Sequence, residues 1–352
     1  MYSNCEANYK KVIEGIDIPV FGATSFQGVF TPEGFVEGGA ILIGEKEDNI
    51  KAVPYLTSTQ ENNAFERAKE VSMKIKNSLN GNPDCILIHA TPGYEERILD
   101  GIRDVFGDDV PVFGGSAGDN DLTGKWKIIC GKEEVNEGVL IVGFKSDKKI
   151  YGAFLGGYLP TKNRGKITKA EKRRVDEIDG RPAAIVYNEW TKGIISSYLD
   201  KGGVILAETT LYPIGRIVGK VAGVPVYLLS HPHQVIKDTK SLTFFTELKE
   251  GEEIILMTGT KTALIERTEQ VASRALRLDK GKVELKGGIL IYCAGCVLQV
   301  MEEKEKIINA YKQVVGDIPF IGAATFGEQG CFFTEVNKNR HGNLMCNTII
   351  FS

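Results

Sequence analysis

DVPVFGGSAGDND, residues 109–121, is closely echoed twice: as DIPVFGATSFQGVF at 17–30 and as DIPFIGAATFGEQGCF at 317–332. Each copy reads as an apolar strand running into small, hydroxyl or acidic residues. The second copy is preceded by the strand DCILIHATPG from Asp84 and by YEERILDGIRDVFG. In the latter, Tyr94, Ile98, Ile102, Val105 and Phe106 recur at helical spacing. The third has the same prelude, KGGILIYCAGC from Lys286 and then a helix carrying Val300, Lys304, Ile307, Ile308, Tyr311 and Val315 on one face. A further helix precedes each, ENNAFERAKEVSMKIKNSLN and TALIERTEQVASRALRL.

Asp109 and Asp317 are 208 residues apart and Leu87 and Leu290 are 203 apart, so the halves stay in register over a long stretch, as an internal duplication requires. A hairpin is expected after each of these phrases: KWKIICGK with EGVLIVGFKS, and CFFTEV with NLMCNTIIFS. The copy at Asp17 has a return strand, EGGAILIGEK, but lacks the two helices, and reads as an extra strand pair on the first sheet. CILIHA, VLIVGF and GGILIY are apolar at nearly every position, as in strands covered on both faces. Two helices per half cover one face, and the sister sheet is the simplest cover for the other. The expected fold is therefore α/β, with internally duplicated mixed sheets, helices outside and an αββα layering. Domains are expected at 1–195 and 196–352. Between the halves, residues 152–180 read as strands and turns, and RPAAIVYNEWTK and GIISSYLD as short helices.

The 352 residues carry 43 Lys and Arg against 46 Asp and Glu, a formal charge of −3, which gives no field for nucleic acid or anionic lipid. The N-terminus lacks the apolar core of a signal peptide, and the longest apolar runs fall far short of a membrane span, so a cytoplasmic protein is expected. Seven cysteines, an odd number, argue for reduced thiols rather than a disulfide framework.

Strand ends rich in glycine expose backbone amides and form ligand floors, and they also permit tight turns. The phrase ends supply Thr24 and Ser25; Gly114, Gly115, Ser116 and Asp119; and Thr325, Gly327 and Glu328 as ligand-binding candidates. His89 ends the strand of the first half at the point matched to Tyr292, beside Cys293, and joins the set. Cys293 and Cys296, also ligand-binding candidates, form a CxxC between strand and helix, suited first to buried thiols and after that to redox or metal chemistry. His231 and His233 flank Pro232 and read as a surface strand end. GGSAGD has neither dinucleotide nor P-loop spacing, and no nucleophile elbow is present, so no cofactor, metal or catalytic constellation is expected.

FGGSAGD (113–119), ITKAEKRRVDEIDGRPAAIVY (167–187), YPIGR (212–216), LKEGEEIILMTG (248–259), the strand-end Cys293 and PFIGAATFGEQG with Gly327 and Glu328 occur in an order that resembles the FIST family, the F-box and intracellular signal transduction domain. The resemblance implies a sensory module that binds an amino acid or related metabolite and signals through a separate protein. Three departures stand out. Cys296 takes the place of an arginine that the family usually carries three residues after the cysteine, so a ligand carboxylate held there would lose a planar charged fork. MCNT (345–348) replaces a His-Asn-Gln-Thr-like run, and GATSFQG a Gly-Cys-Ser-Thr-type run. A thiol-dependent enzyme or redox protein using Cys293 and Cys296, and a protein-interaction scaffold, are the alternatives.

Overall fold

The computed structural model describes residues 1–16, 18–44, 50–221, 223–277, 279, 281–333 and 338–352. Asp17, Glu45, Lys46, Leu278 and residues 334–336, which belong to the phrases and elements expected from sequence, lie outside the described residues. Each repeated phrase is the second of two parallel strands. Phe21–Ser25 lies beside Tyr2–Asn4, Val112–Ser116 beside Cys85–Ala90, and Phe320–Thr325 beside Gly287–Cys293. The helices Tyr9–Ile13, Glu95–Phe106 and Lys304–Val315 fall between the two strands of each pair. The copy at residue 17 is thus an abbreviated module in its own right, the first of three, with its own five-stranded sheet, not an addition to another one. Its parallel partner was missed because YSN is only three residues long.

The hairpin that follows each phrase pairs with the phrase strand of a different module. Val29–Thr31 and Gly34–Val36 extend the third module's sheet, Ile128–Cys130 and Glu133–Val135 the first's, and Glu328–Phe332 and Lys338–Gly342 the second's. The return strands Gly39–Ala40, Gly138–Ser146 and Cys346–Phe351 then rejoin their own modules, antiparallel to the first parallel strand. The two hairpins expected from sequence therefore form differently: KWKIICGK turns back on Glu133–Val135, and CFFTEV starts in the strand that pairs with Lys338–Gly342. Three backbone bonds close the cycle. Phe26 N–H donates to Ala324 O (2.9 Å), Gly118 N–H to Thr24 O (3.0 Å) and Phe326 N–H to Ser116 O (3.1 Å). These donors and acceptors occupy matching positions in the three phrases, so the modules meet around a pseudo-threefold junction.

The second and third modules have the expected αββα layering. Ile86, Ile88, Val112 and Ile141 pack under Val71, Ile75, Ile98 and Ile102 of the helices Ala64–Leu79 and Glu95–Phe106. The alternate positions Leu87, Phe113, Leu140 and Phe144 face the other sheet, as the two-residue strand period dictates. Phe144 meets Phe351 across that interface (5.3 Å between ring centres), and Phe154 meets Phe332 (4.9 Å). Leu264, Val271, Ile307 and Tyr311 of Lys261–Ala275 and Lys304–Val315 belong to the same core and contribute the fourth layer.

Between these modules, residues 159–258 build a nine-stranded, antiparallel sheet with its own core. The long strand Leu159–Glu171 pairs with Arg174–Ile178 and Glu253–Thr258, and the helices Ala183–Trp190 and Ser196–Lys201 match the short helices read from sequence. Ile167, Val175 and Tyr187 share this core with Ile205, Leu242 and Leu256, so it draws on residues from both sides of position 195.

Candidate functional site

The phrase-end residues converge at the junction, where all are buried. Thr24 Oγ1 accepts from Lys127 N–H (2.8 Å), and Ser25 Oγ accepts from Ala324 N–H (2.8 Å). Gly114 brings two backbones together and Gly115 makes room for a side chain: a Cβ would lie 1.9 Å from Ile88 O at Gly114 and 2.6 Å from the Thr325 side chain at Gly115. Asp119 accepts from the N–H groups of Asp121, Leu122, Thr123 and Lys125 and so shapes its own loop. His89 donates from Nδ1 to Gly115 O (2.9 Å) and accepts from Tyr2 OH (3.0 Å); burial lowers its pKa to about 4, keeping the ring neutral. It pairs in register with Gly115, and the matching position of the third module is Ile291, beside Ala323, not Tyr292.

Ser116 opens onto a buried charge cluster that sequence reasoning missed. Its Oγ donates to Glu95 Oε1 (2.7 Å), while Arg173 Nη2 donates to Glu95 Oε2 and Glu96 Oε2 (2.7 Å each). Glu95 and Glu96 sit in the first turn of Glu95–Phe106, where the helix dipole favours negative charge. Arg173 comes from the tight turn between Leu159–Glu171 and Arg174–Ile178, where Lys172 has φ +53. Burial would raise the pKa of Glu95, but the pull of His341 and Arg173, with the bonds from Arg173 and Ser116, holds it down at about 2. Glu95, Glu96 and His341 offer ligand atoms within 4.8 Å of one another, the spacing of a metal site. The guanidinium already supplies the positive charge that both carboxylates need. Gly327, at φ +149, leaves room for the His341 ring, since a Cβ there would lie 2.6 Å from Cε1. The sequence signal for Arg173 was its place in the KRR run of the family-like segment.

The third-module strand end forms a second cluster. Cys293 ends Gly287–Cys293, and Cys296 lies in the short helix Ala294–Gln299; both are buried and free. Burial pushes the Cys293 thiol well up. At Cys296 burial is outweighed by a hydrogen bond from Cys293, the charge of Arg267 and the Tyr158 hydroxyl (3.5 Å), which bring its pKa to about 6. Beside them, Glu328 accepts from Thr325 Oγ1 and Met345 N–H (2.9 Å each), and burial pushes its pKa up to about 8. His231 is also buried, at 5% exposure, in place of the expected surface strand end.

A carboxyl whose folded-state pKa is raised stabilises the fold fully below its unfolded pKa and loses that contribution as pH rises through the folded value. The protein is therefore expected to lose stability through Glu328 between about pH 5 and about pH 8. Glu328→Gln, whose amide can donate to Thr325 and accept from Met345, should flatten this slope, read as denaturant midpoints across that range. An unchanged slope would overturn the assignment.

A cleft of about 660 Å³ opens at the carboxyl end of Cys85–Ala90, lined by Gly93, Tyr94 and Arg97 of the second module, Glu61, and Lys172 and Glu247 of the middle domain. Lys172 Nζ meets Glu61 Oε1 at 2.6 Å, and Glu96 Oε1 accepts from Glu247 N–H (2.8 Å) just behind the wall. Thr59 Oγ1 lies 3.0 Å from Tyr94 OH, fixing that ring at the cleft. The cleft thus joins the hairpin tip of the middle domain to the helix start that carries Glu95.

The FIST N domain model matches residues 4–181, and the FIST C domain model matches residues 183–331. The chain belongs to the FIST family. FIST domains are sensory domains of signal transduction. The chain is also 31% identical over 168 residues to an uncharacterized protein of Methanocaldococcus jannaschii, a match covering 44% of this chain and 31% of that protein's length. The chain thus spans less than a third of that relative. In this FIST chain the N-domain match ends at Arg181, two residues before Ala183, where the helix Ala183–Trp190 begins its packing into the middle core. No helix among the described residues is long and apolar enough to cross a membrane. Cys296, which departs from the family pattern, lies beside an arginine that comes instead from another helix, Arg267 of Lys261–Ala275.

Proposed function

We propose that this FIST protein is a small-molecule sensor whose ligand, an amino acid or related zwitterionic metabolite, binds in the cleft between Arg97, Lys172, Glu61 and Glu247. The observation that supports this reading is the mixed charge of the cleft's walls: two cations suit a carboxylate, and two carboxylates suit an ammonium group. A ligand carboxylate would take Lys172 from Glu61, an exposed pair that contributes little by itself. Because the cleft walls come from the hairpin tip and from the second module, binding would fasten one to the other and present an altered surface to a separate signalling protein in the cytoplasm. Ser116 supports the cleft from below through Glu95.

A thermal-shift screen of free amino acids and their deaminated and decarboxylated analogues tests the reading. A ligand at a hundred times its Kd adds about 2.7 kcal/mol. Arg97→Ala is expected to remove the shift while changing the unliganded Tm little, since Arg97 lies on an exposed wall. A panel without any stabiliser, or a shift that survives Arg97→Ala together with Lys172→Ala, would overturn it.

A further inference from the structure

Arg267 is fully buried, yet it takes part in no ion pair with a carboxylate among the described residues. Nη1 donates to Leu344 O (2.7 Å) and Gly156 O (3.2 Å), and the guanidinium lies over the Tyr292 ring at 4.0 Å. Nε and Nη2 meet no hydrogen-bond partner among the described residues, and the guanidinium charge acts on the Cys296 thiol. A guanidinium cannot discharge itself by losing its proton, and an uncompensated buried charge is strongly destabilising. The acidic groups that share its field are Cys293, Cys296, Cys346, Tyr158, Tyr292 and Glu328. Of these, Cys296 alone is approached at once by a second thiol, a phenol hydroxyl and the guanidinium.

We propose that Cys296 and Cys293 form an oxidisable dithiol specific for hydroperoxides, in which Arg267 holds Cys296 as the attacking thiolate and Cys293 resolves the product to a disulfide. The Cys296 sulfur attacks the distal peroxide oxygen; the O–O bond breaks and the sulfur keeps that oxygen and its hydrogen as a sulfenic acid. The alkoxide leaves, takes a proton from solvent and departs as the alcohol. Cys293 then attacks the sulfenic sulfur, an S–S bond forms, and its proton leaves with the hydroxyl as water. The two electrons lost by sulfur are those gained in splitting the peroxide, and a small thiol returns the pair to the dithiol state. Access runs past Tyr158, which touches Cys296 and also lines a separate cleft of about 360 Å³ with Val224, Val226, Leu229 and Phe332, and with Tyr227 and Arg274 as its polar members. These walls suit an organic hydroperoxide better than hydrogen peroxide. Oxidation removes the counter-charge of Arg267, which couples the state of the dithiol to the packing of the third module.

The test treats the reduced protein with one equivalent of cumene hydroperoxide or of hydrogen peroxide and maps its thiols by mass spectrometry. The expected result is loss of two hydrogens in the peptide joining Cys293 to Cys296, faster with cumene hydroperoxide, with the half-buried Cys5 and Cys130 unmodified and a lowered Tm that a small thiol restores. Cys293→Ser should accumulate a dimedone adduct on Cys296, and Arg267→Lys, which keeps a charge but not the fork, should slow its formation. Persistence of both thiols while Cys5 or Cys130 reacts, or equal labelling of Cys293 in Cys296→Ser, would overturn the proposal.

Discussion

Gly114→Ala is expected to abolish the cooperative fold, or to destabilise it by more than about 4 kcal/mol, a size reached only when backbone or core is directly broken. Gly114 has φ +154, where a side chain is strained, and the added Cβ would sit 1.9 Å from Ile88 O and 2.8 Å from Ile88 C on the parallel strand. Both are backbone atoms, so no rotamer change relieves the clash. The matching glycine of the first module, Gly22, has φ +155 and would meet Met1 O at 1.7 Å, whereas Gly322 of the third would meet Leu290 O at 2.9 Å. Gly322→Ala is therefore expected to be the mildest of the three. Gly131→Ala serves as control, because Gly131 has φ +60 but nothing within 4 Å of its Cβ position, and its cost should be about 1 kcal/mol. Urea unfolding followed by circular dichroism gives the order. A Gly114→Ala midpoint equal to that of the control would mean that the glycine shared by the three phrases does not set the approach of the parallel strands.

That glycine explains which features could be read from the chain and which could not. The phrase repeats because each copy places a glycine against a carbonyl of its parallel neighbour, a local demand that leaves a local signature. The αββα layering was legible for a similar reason, since Leu87 and Ile88 are both apolar and serve opposite faces of one sheet. The destination of the hairpins was not legible. Val29–Thr31 carries no mark saying that it pairs with residues near 322 rather than near 112, because such pairing is decided by the junction of three modules and not by the strand's own pattern. The phrase ends posed a similar problem at the level of chemistry. Small and hydroxyl residues suit a ligand floor, and they also suit a crowded junction where Thr24 and Ser116 offer their carbonyls to neighbouring modules. The charged members of the two clusters come from distant segments: Glu95 from a helix start, Arg173 from a hairpin tip, His341 from an exchanged hairpin and Arg267 from a helix read only as the one preceding the last repeat. Proximity among such residues is written in topology, which a linear reading does not contain.

Arg173→Ala is expected to destabilise the protein by about 3 kcal/mol at neutral pH, near the lower end of the cost of removing one partner of a buried ion pair. The lower end applies because Arg173 keeps 20% of its side-chain surface exposed, while Glu95 keeps 1%. The deficit should depend on pH in a definite direction. The folded-state pKa of Glu95 is depressed to about 2, so its contribution is present above the unfolded value of about 4.3 and is lost as pH falls towards 2. Without the guanidinium, burial acts on Glu95 unopposed by its principal fixed charge, and the variant should take up a proton at higher pH than the parent. The difference between the two proteins is then greatest near neutrality and shrinks as the solution is acidified, provided that both remain folded at the lower end. Adding Glu95→Gln to Arg173→Ala should restore much of the loss at neutral pH, since a neutral amide can still accept from Ser116 and needs no counter-charge. Unfolding midpoints of the parent, the single variant and the double variant at several pH values decide the matter; a deficit of constant size at every pH would assign Arg173 to packing instead of charge. The same measurements separate the cluster from the cleft above it, because Arg97→Ala is expected to show the reverse pattern, a nearly unchanged midpoint with loss of the ligand-induced shift.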